Sequence, residues 1–189
     1  MRYAWALIAI FYLVSVRAAQ QQPPDAQFQV LLKQTIAKAS SFRDRFDAQV
    51  WLTDMSTRLA KYAASIPLKE RMLMLRTVHR EATRHGLDPH LILAVMDVES
   101  RFDRFAVSRA GARGLMQVMP FWKQVFGRSN DNLFDIETNI YYGCTILATY
   151  LAQENGDIYR ALARYNGSLG QHKYPRKVMK HLRARWYRR

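Results

Sequence analysis

Residues 89–120 read PHLILAVMDVESRFDRFAVSRAGARGLMQVMP, an apolar stretch followed by a segment rich in Ser, Gly and Ala. Asp88 precedes Pro89, and this pair predicts a helix start, because Asp is favoured at the N-cap and Pro at the first helical position. Residues 105–114 predict a tight, irregular connection. A further helix is expected to begin at Pro120, where the stretch ends.

Glu99 is the informative residue of this stretch. Ile92, Val95 and Met96 precede it by seven, four and three residues, so a helix places all four on one face. Burial and the negative end of the helix dipole both raise the pKa of a carboxyl group there, as a general acid near neutral pH requires. The alternative is a structural Glu that pairs with a nearby arginine. The candidate partners are Arg101 and Arg104.

The rest of the chain also favours helices. Its 189 residues include only 8 Gly and 6 Pro, too few for the many turns of a β-sandwich or β-barrel. No alternation of apolar and polar residues is long enough for a strand, so the sequence predicts an all-α protein. The predicted helical segments are residues 27–65, 69–84 with Gly86 at its C-cap, 136–153 and 158–165.

The segment 27–65 is expected to carry two apolar stripes, and each set follows helical spacing. The first consists of Leu52, Met55, Leu59, Tyr62 and Ile66. The second, just before it, consists of Phe42, Phe46 and Val50. Apolar stripes this short favour packing of the helix against its own domain over a coiled coil with a partner chain.

The N-terminus has the pattern of a secretory signal. Arg2 is followed by a run of 13 apolar-rich residues, 4–16, which is shorter than the roughly 20 residues that span a bilayer. Cleavage is expected after Ala18, with an uncleaved signal anchor as the alternative. The expected location is therefore the periplasm, or another compartment to which a bacterium exports proteins.

Charge and cysteine usage limit the function classes. The net charge is +14, but residues 171–189 alone contain eight Lys and Arg and no acid. A nearly neutral body with a basic tail is not the profile of a nucleic-acid-binding protein.

One Cys cannot form an intrachain disulfide or a thiolate zinc site, and the five His show no metal-ligand spacing, so we expect no metal or cofactor. Cys144 has helical spacing to apolar residues and is expected in the core, as is Trp122.

Further motifs follow Glu99 in order. They are Glu99-Ser100, Ser108 with Gly114-Leu115-Met116-Gln117 and Pro120, Asn139-Ile140 with Gly143, and Tyr165-Asn166. In order and spacing, these motifs resemble the soluble lytic transglycosylase family over about residues 67–170. That family has the lysozyme-like fold and cleaves the MurNAc–GlcNAc bond of peptidoglycan. Goose-type lysozymes share the fold and parts of the pattern.

The residue pattern predicts a signal peptide at residues 1–18 and an N-terminal helical extension at 19–66, and the resemblance implies that 67–189 is a lysozyme-like catalytic domain with a basic tail. Peptidoglycan glycan strands are the implied partner, bound by a monomer.

The resemblance also implies a role for each motif residue. Glu99 is the sole catalytic acid/base. Ser108, Gln117 and Met119 line the saccharide groove, with Gln117 on the sugar and Ser108 near the N-acetyl group. Tyr165 hydrogen-bonds close to Glu99 or the reacting sugar, and Asn166 holds substrate. One departure is visible, because the family often has Tyr-Asn-x-Gly where this chain has Tyr165-Asn166-Gly167-Ser168.

The sequence offers no well-supported second carboxylate for a two-acid glycosidase. Asp97 points elsewhere on the helix, Asp103 falls in an expected loop, and Asp135 and Glu137 are expected to cap the helix that follows them. A lone acid needs another stabilising group, which the substrate's own N-acetyl group can supply. The resemblance to the family favours attack by the sugar's own C6 hydroxyl, which gives a 1,6-anhydro product. A hydrolysing lysozyme and a non-catalytic peptidoglycan-binding protein are the alternatives.

The basic tail contains Val178, Leu182 and Trp186 four residues apart. This spacing predicts a last amphipathic helix with a solvated basic face. Such a face favours electrostatic association with the anionic cell wall or a membrane surface.

Overall fold

The computed structural model describes residues 26–187, so the predicted signal peptide lies outside the described residues. The helices are α1 Ala26–Ala37, α2 Arg45–Tyr62, α3 Leu68–Arg84, α4 Pro89–Glu99, α5 Trp122–Phe126, α6 Ile136–Gln153, α7 Ile158–Tyr165 and α8 Lys173–His181, and a π-helical turn, Leu182–Trp186, follows α8. Extended pairing within residues 26–187 is limited to isolated bridges of Arg113 with Val107 and Val118. The all-α prediction is confirmed.

Helix α4 lies at the centre of the core. Its residues from Leu91 to Asp97 are all buried, as is typical of a helix enclosed by others on every side. Helices α3 and α8 and the terminal turn pack around it, while α6 packs against α3 and α7. Glu99, the last residue of α4, therefore lies at the edge of the core, at the end of a buried helix.

Local capping explains why three predicted helices start or end where expected. Asp88 Oδ1 accepts the His90 N–H at 2.8 Å at the start of α4. Asp135 caps α6 by accepting the Thr138 N–H at 2.9 Å, as predicted for this acid. Gly86 follows α3 with φ of +66°, the left-handed conformation that ends a helix.

The N-terminal segment corrects two predictions. Residues 27–65 form two helices rather than one continuous region, because Asp44 caps α2 and starts a new helix. The second predicted stripe is wrong: Phe42 lies before α2, while Phe46 and Val50 are 75% and 43% exposed. The buried face of α2 consists of Ala48, Leu52, Met55, Ser56 and Leu59. This helix packs against α3 and shares the hydrophobic core of the later helices.

The helix predicted to begin at Pro120 begins at Trp122 and has only five residues. Phe121 has helical backbone angles, but the residues before the helix form tight turns. One such turn is closed by the hydrogen bond from Trp122 N–H to Met119 O at 3.1 Å. Trp122 is partly buried against the core, where it packs near Phe126 and Tyr150, so the prediction of a core position is confirmed.

The basic tail closes the domain as predicted. Val178, Leu182 and Trp186 are all buried. Its basic face is only partly solvated, because Arg185 forms a bidentate contact with buried Asp97 at 2.9 and 3.0 Å. No helix within residues 26–187 has the length and hydropathy to cross a membrane.

Candidate active site

Glu99 lies at the C-terminal end of α4 and is partly buried. The Tyr174 hydroxyl of α8 donates a hydrogen bond to Glu99 Oε1 at 2.6 Å. Burial raises the pKa of the Glu99 carboxyl, while the Tyr174 hydrogen bond and the positive charge of Lys177 act against it, and the net direction is upward. The site therefore holds a carboxyl group with an enhanced tendency to keep its proton.

The alternative arginine partners of Glu99 are engaged elsewhere. Arg104 lies 3.7 Å from Glu70 and donates to the Phe134 carbonyl at 3.2 Å. Arg101 is exposed, and no salt bridge connects it to Glu99 among the described residues. A structural ion pair with a neighbouring arginine is thus not the reason for the carboxyl group at this position.

Tyr174 is a site residue that the sequence analysis missed. It precedes Val178 by four residues, so it extends the buried series of the last helix by one turn toward its N-terminus. Burial and the Glu99 charge raise the pKa of the Tyr174 phenol well above its ordinary value. The phenol therefore remains a proton donor to Glu99 throughout the neutral range.

The segment from Ala106 to Val118 forms a tight hairpin-like loop beside α4. Arg113 and Val118 exchange both backbone hydrogen bonds, at 3.0 and 2.9 Å, and Gly114 N–H donates to Ala106 O at 2.9 Å. Gly114 has φ of +74°, and a Cβ there would lie 2.5 Å from Leu133 O. Only glycine fits at this position, because both the conformation and the close approach exclude a side chain.

Asn139 of α6 anchors the loop from Ala106 to Val118 through side-chain hydrogen bonds to its backbone. Its Oδ1 accepts the Met116 N–H at 2.8 Å, and its Nδ2 donates to Arg113 O at 2.9 Å and Leu133 O at 2.7 Å. Gly143, one turn further, leaves room for Met116, since a Cβ there would lie 2.2 Å from its Sδ. Asn139 and Gly143, the motif noted in the sequence, therefore form the surface of α6 against which the loop packs.

Two further side chains tie the loop to the acid. The Ser100 hydroxyl, directly after Glu99, donates to Leu115 O at 2.7 Å. The Tyr165 hydroxyl donates to Met116 O at 2.7 Å, and burial, followed by the Glu99 charge, raises the pKa of this phenol well above its ordinary value. The structure thus brings together the motifs around Glu99, the loop and Tyr165, which are widely separated in the sequence.

The predicted substrate-binding residues lie on this loop and beside it. The backbone of Gln117 has φ of +50°, and its Nε2 donates to Ala106 O and Gly114 O at 3.2 and 3.0 Å. Ser108 Oγ accepts the Ala112 N–H at 3.0 Å, and Met119 is partly buried. Asn166 ends α7, is exposed, and accepts a hydrogen bond from Ser168. Their contacts with a sugar stay predictions.

The four other acids considered above are engaged away from Glu99. Asp97 contacts Arg185, Asp103 accepts the Phe105 N–H, and Asp135 caps α6. Glu137 accepts from Arg80 at 3.0 Å. Cys144 is fully buried, and burial raises the pKa of its thiol, which confirms the prediction of a core residue.

The chain is similar in sequence to known transglycosylases. A family model described as the transglycosylase SLT domain matches residues 76–185. Membrane-bound lytic murein transglycosylase C of Edwardsiella ictaluri is 36% identical over 155 residues, covering 70% of this chain and 43% of that protein. The transglycosylase of Enterobacteria phage PRD1 is 34% identical over 113 residues, covering 56% of this chain and 42% of the phage protein.

Among solved structures, an inactive mutant of the lytic transglycosylase Slt from Pseudomonas aeruginosa aligns with a TM-score of 0.47 and 24% identity. The alignment covers 75% of this chain and 30% of that one. The chain spans less than half the length of the curated relatives it matches.

We expect Asn139→Ala to destabilise the fold by about 2–4 kcal/mol, because it removes three hydrogen bonds and leaves buried backbone groups unpaired. Urea unfolding followed by circular dichroism measures the change. The matched control is Asn132→Ala, which removes one exposed hydrogen bond to the Phe134 N–H and should cost less than about 1 kcal/mol. Equal losses in the two variants would show that Asn139 does not anchor the loop.

We expect Tyr174→Phe to raise the pKa of Glu99 further, since it removes a donor that stabilises the charged carboxylate. A carbon-13 NMR titration of labelled glutamate side chains measures this pKa. Tyr187→Phe is the control, because that hydroxyl donates to Asp88 instead. An unchanged or lowered Glu99 pKa in Tyr174→Phe would contradict the assigned contact.

Proposed function

The chain belongs to the transglycosylase SLT domain family, and on that premise we propose that it is a peptidoglycan lytic transglycosylase. The reaction cleaves the β-1,4 bond between MurNAc and GlcNAc and leaves a 1,6-anhydro-MurNAc end. The observation that carries the proposal is the partly buried Glu99, with its raised pKa and its Tyr174 partner, beside the loop that Asn139 holds in place.

Glu99 acts first as the general acid. Its proton passes to the glycosidic oxygen as the bond from C1 of MurNAc to that oxygen breaks. A carboxyl group with a raised pKa suits this step, because a larger fraction of it is protonated near neutral pH. Tyr174 holds the carboxyl oriented through Oε1 and is a positioning residue in this scheme.

The developing positive charge at C1 needs a second stabilising group. The four other acids considered above are engaged in contacts away from Glu99, so we assign this role to the substrate's 2-acetamido oxygen, which bonds to C1. The Glu99 carboxylate then accepts the proton of the C6 hydroxyl. The C6 oxygen attacks C1, displaces the acetamido oxygen and closes the anhydro ring without consuming water.

Substrate contacts are assigned to residues around the loop. Gln117 and Ser108 lie on the loop that Ser100 and Asn139 anchor beside Glu99, which supports sugar and N-acetyl recognition there. Met119 follows the loop, and we assign it to the groove wall. The Tyr165 hydroxyl already donates its hydrogen bond to Met116 O, so a direct contact with the sugar would use the Tyr165 ring or an oxygen lone pair.

We assign Asn166 to substrate binding, and its exposed position directly after α7, one residue after Tyr165, supports this role. The proposal further places the protein as a monomer in the bacterial envelope, exported by the signal at residues 1–18. The exposed cations of α8, among them Arg176, Lys177 and Lys180, would favour contact with the anionic wall.

We expect Glu99→Gln to lower the release of anhydro-MurNAc fragments from purified peptidoglycan by roughly 10²–10⁴-fold, the usual contribution of a general acid. Mass spectrometry of the soluble fragments provides the measurement. The matched control is Glu137→Gln, because Glu137 is half exposed and pairs with Arg80 away from the site.

Activity that persists in Glu99→Gln would refute the role of Glu99. Fragments with a reducing end, heavier by one water, would identify a hydrolysing lysozyme. A folded wild-type protein that binds sacculi and releases nothing would be a binding protein.

A further inference from the structure

A cavity of about 440 Å³ lies between α1 and α3, away from Glu99. Its volume is within the range of about 300–1,000 Å³ that small-molecule sites occupy. Leu31 of α1, Leu73 of α3 and Ile136 at the start of α6 form an apolar wall. The cavity therefore combines helices of the N-terminal segment with helices of the family domain, and the function proposed above does not use it.

The polar lining of this cavity is strongly cationic. Lys38, Lys69, Arg76 and Arg104 contribute four positive charges, and Glu70 is the one acid among the lining residues. These cations come from three places in the chain: the end of α1, helix α3 and the loop after α4. Cations gathered from separate elements around one cavity attract a negatively charged ligand more strongly than the same charges spread over the surface.

Both arginines have unused hydrogen-bonding capacity. Arg76 is largely buried, with its side chain 18% exposed, and its Nε has no hydrogen-bond partner among the described residues. Its ion pair with Glu137, through Nη2, spans 3.7 Å, and Glu137 is closer to Arg80 at 3.0 Å. Because Arg76 Nε is closed off from solvent, a ligand in the cavity would reach the guanidinium group through its terminal nitrogens, and the Nη2 contact with Glu137 is too long for a hydrogen bond.

Arg104 also forms only a long ion pair with its acidic partner, Glu70. Its ion pair with Glu70 spans 3.7 Å, too long for a hydrogen bond, although its Nε donates to Phe134 O at 3.2 Å. The planar guanidinium group binds carboxylates in a bidentate manner, which neither Arg76 nor Arg104 achieves with its protein partner. A carboxylate in the cavity would supply the missing acceptors.

We propose that this cavity binds an organic carboxylate with an apolar body. Arg76 and Arg104 hold the carboxylate, Lys38 and Lys69 attract it at the entrance, and Leu31, Leu73 and Ile136 pack against the apolar part. Two sources share this chemistry, an alkyl carboxylate such as a fatty acid and the carboxyl end of a peptide with small apolar side chains.

The test is a titration of the protein followed by NMR of the methyl groups of Leu31, Leu73 and Ile136. The probes are octanoate, N-acetyl-D-alanyl-D-alanine and octanamide, the neutral counterpart of octanoate. Concentrations reach about 10 mM, at which a site with a Kd of about 1 mM is mostly filled. Methyl shifts with octanoate identify the alkyl source, shifts with the dipeptide identify the peptide source, and octanamide is expected to bind more weakly than octanoate.

The charge requirement is tested with Lys38→Gln/Lys69→Gln, since both residues are exposed and their replacement should leave the fold intact. We expect this double variant to weaken binding roughly fivefold. The matched control is Lys33→Gln, an exposed residue of α1 outside this cavity, which should change binding less than about twofold.

Binding of neither carboxylate would overturn the proposal. Equal binding of octanamide and octanoate, or equal weakening by the control variant, would do the same. The readout is binding rather than turnover, so failure here leaves the assignment of Glu99 unaffected, and failure of that assignment leaves this cavity's test valid.

Discussion

The arrangement of the site depends on one buried side chain, Asn139. Its amide uses one acceptor and two donors to satisfy Met116 N–H, Arg113 O and Leu133 O. Arg113 O also accepts the Val118 N–H, whereas a buried backbone group left unpaired in the interior would cost about 1–3 kcal/mol. The amide therefore fixes the path of the loop from 106 to 118, and Ser100 and Tyr165 fix that loop against α4.

The same arrangement determines the protonation of Glu99. Burial favours the neutral carboxyl, whereas Tyr174 and Lys177 favour the charged form, and burial has the larger effect. A group balanced in this way can donate a proton and later accept one, as a single acid/base must do. Helix α4 is buried from Leu91 to Asp97, so the carboxyl extends from a well-packed element of the core.

The sequence predicted the elements whose signals are local. Asp88-Pro89, Asp135 and Gly86 start or end helices through contacts within a few residues, so the bounds of α4 and α6 and the end of α3 followed from the pattern. The position of Glu99 on an apolar face followed from spacing alone. The resemblance to a family then predicted that the later motifs lie close to Glu99.

What the sequence could not predict depends on distant partners. Tyr174 reaches Glu99 across 75 residues, and the helix that carries it shows no local sign of that contact. The break between α1 and α2 was missed because Phe42, Phe46 and Val50 have helical spacing, although contacts with α1, α3 and the terminal turn decide which face of α2 is buried. The acceptor of Tyr165 likewise became visible only in the folded chain.

The central claim is that one carboxyl group drives an intramolecular ring closure in which water takes no part. Digestion of peptidoglycan in water enriched in oxygen-18, with mass spectrometry of the released fragments, tests this claim directly. The account predicts anhydro-MurNAc ends that contain no oxygen-18. Incorporation of one oxygen-18 at the newly formed MurNAc end would contradict it and identify a hydrolase.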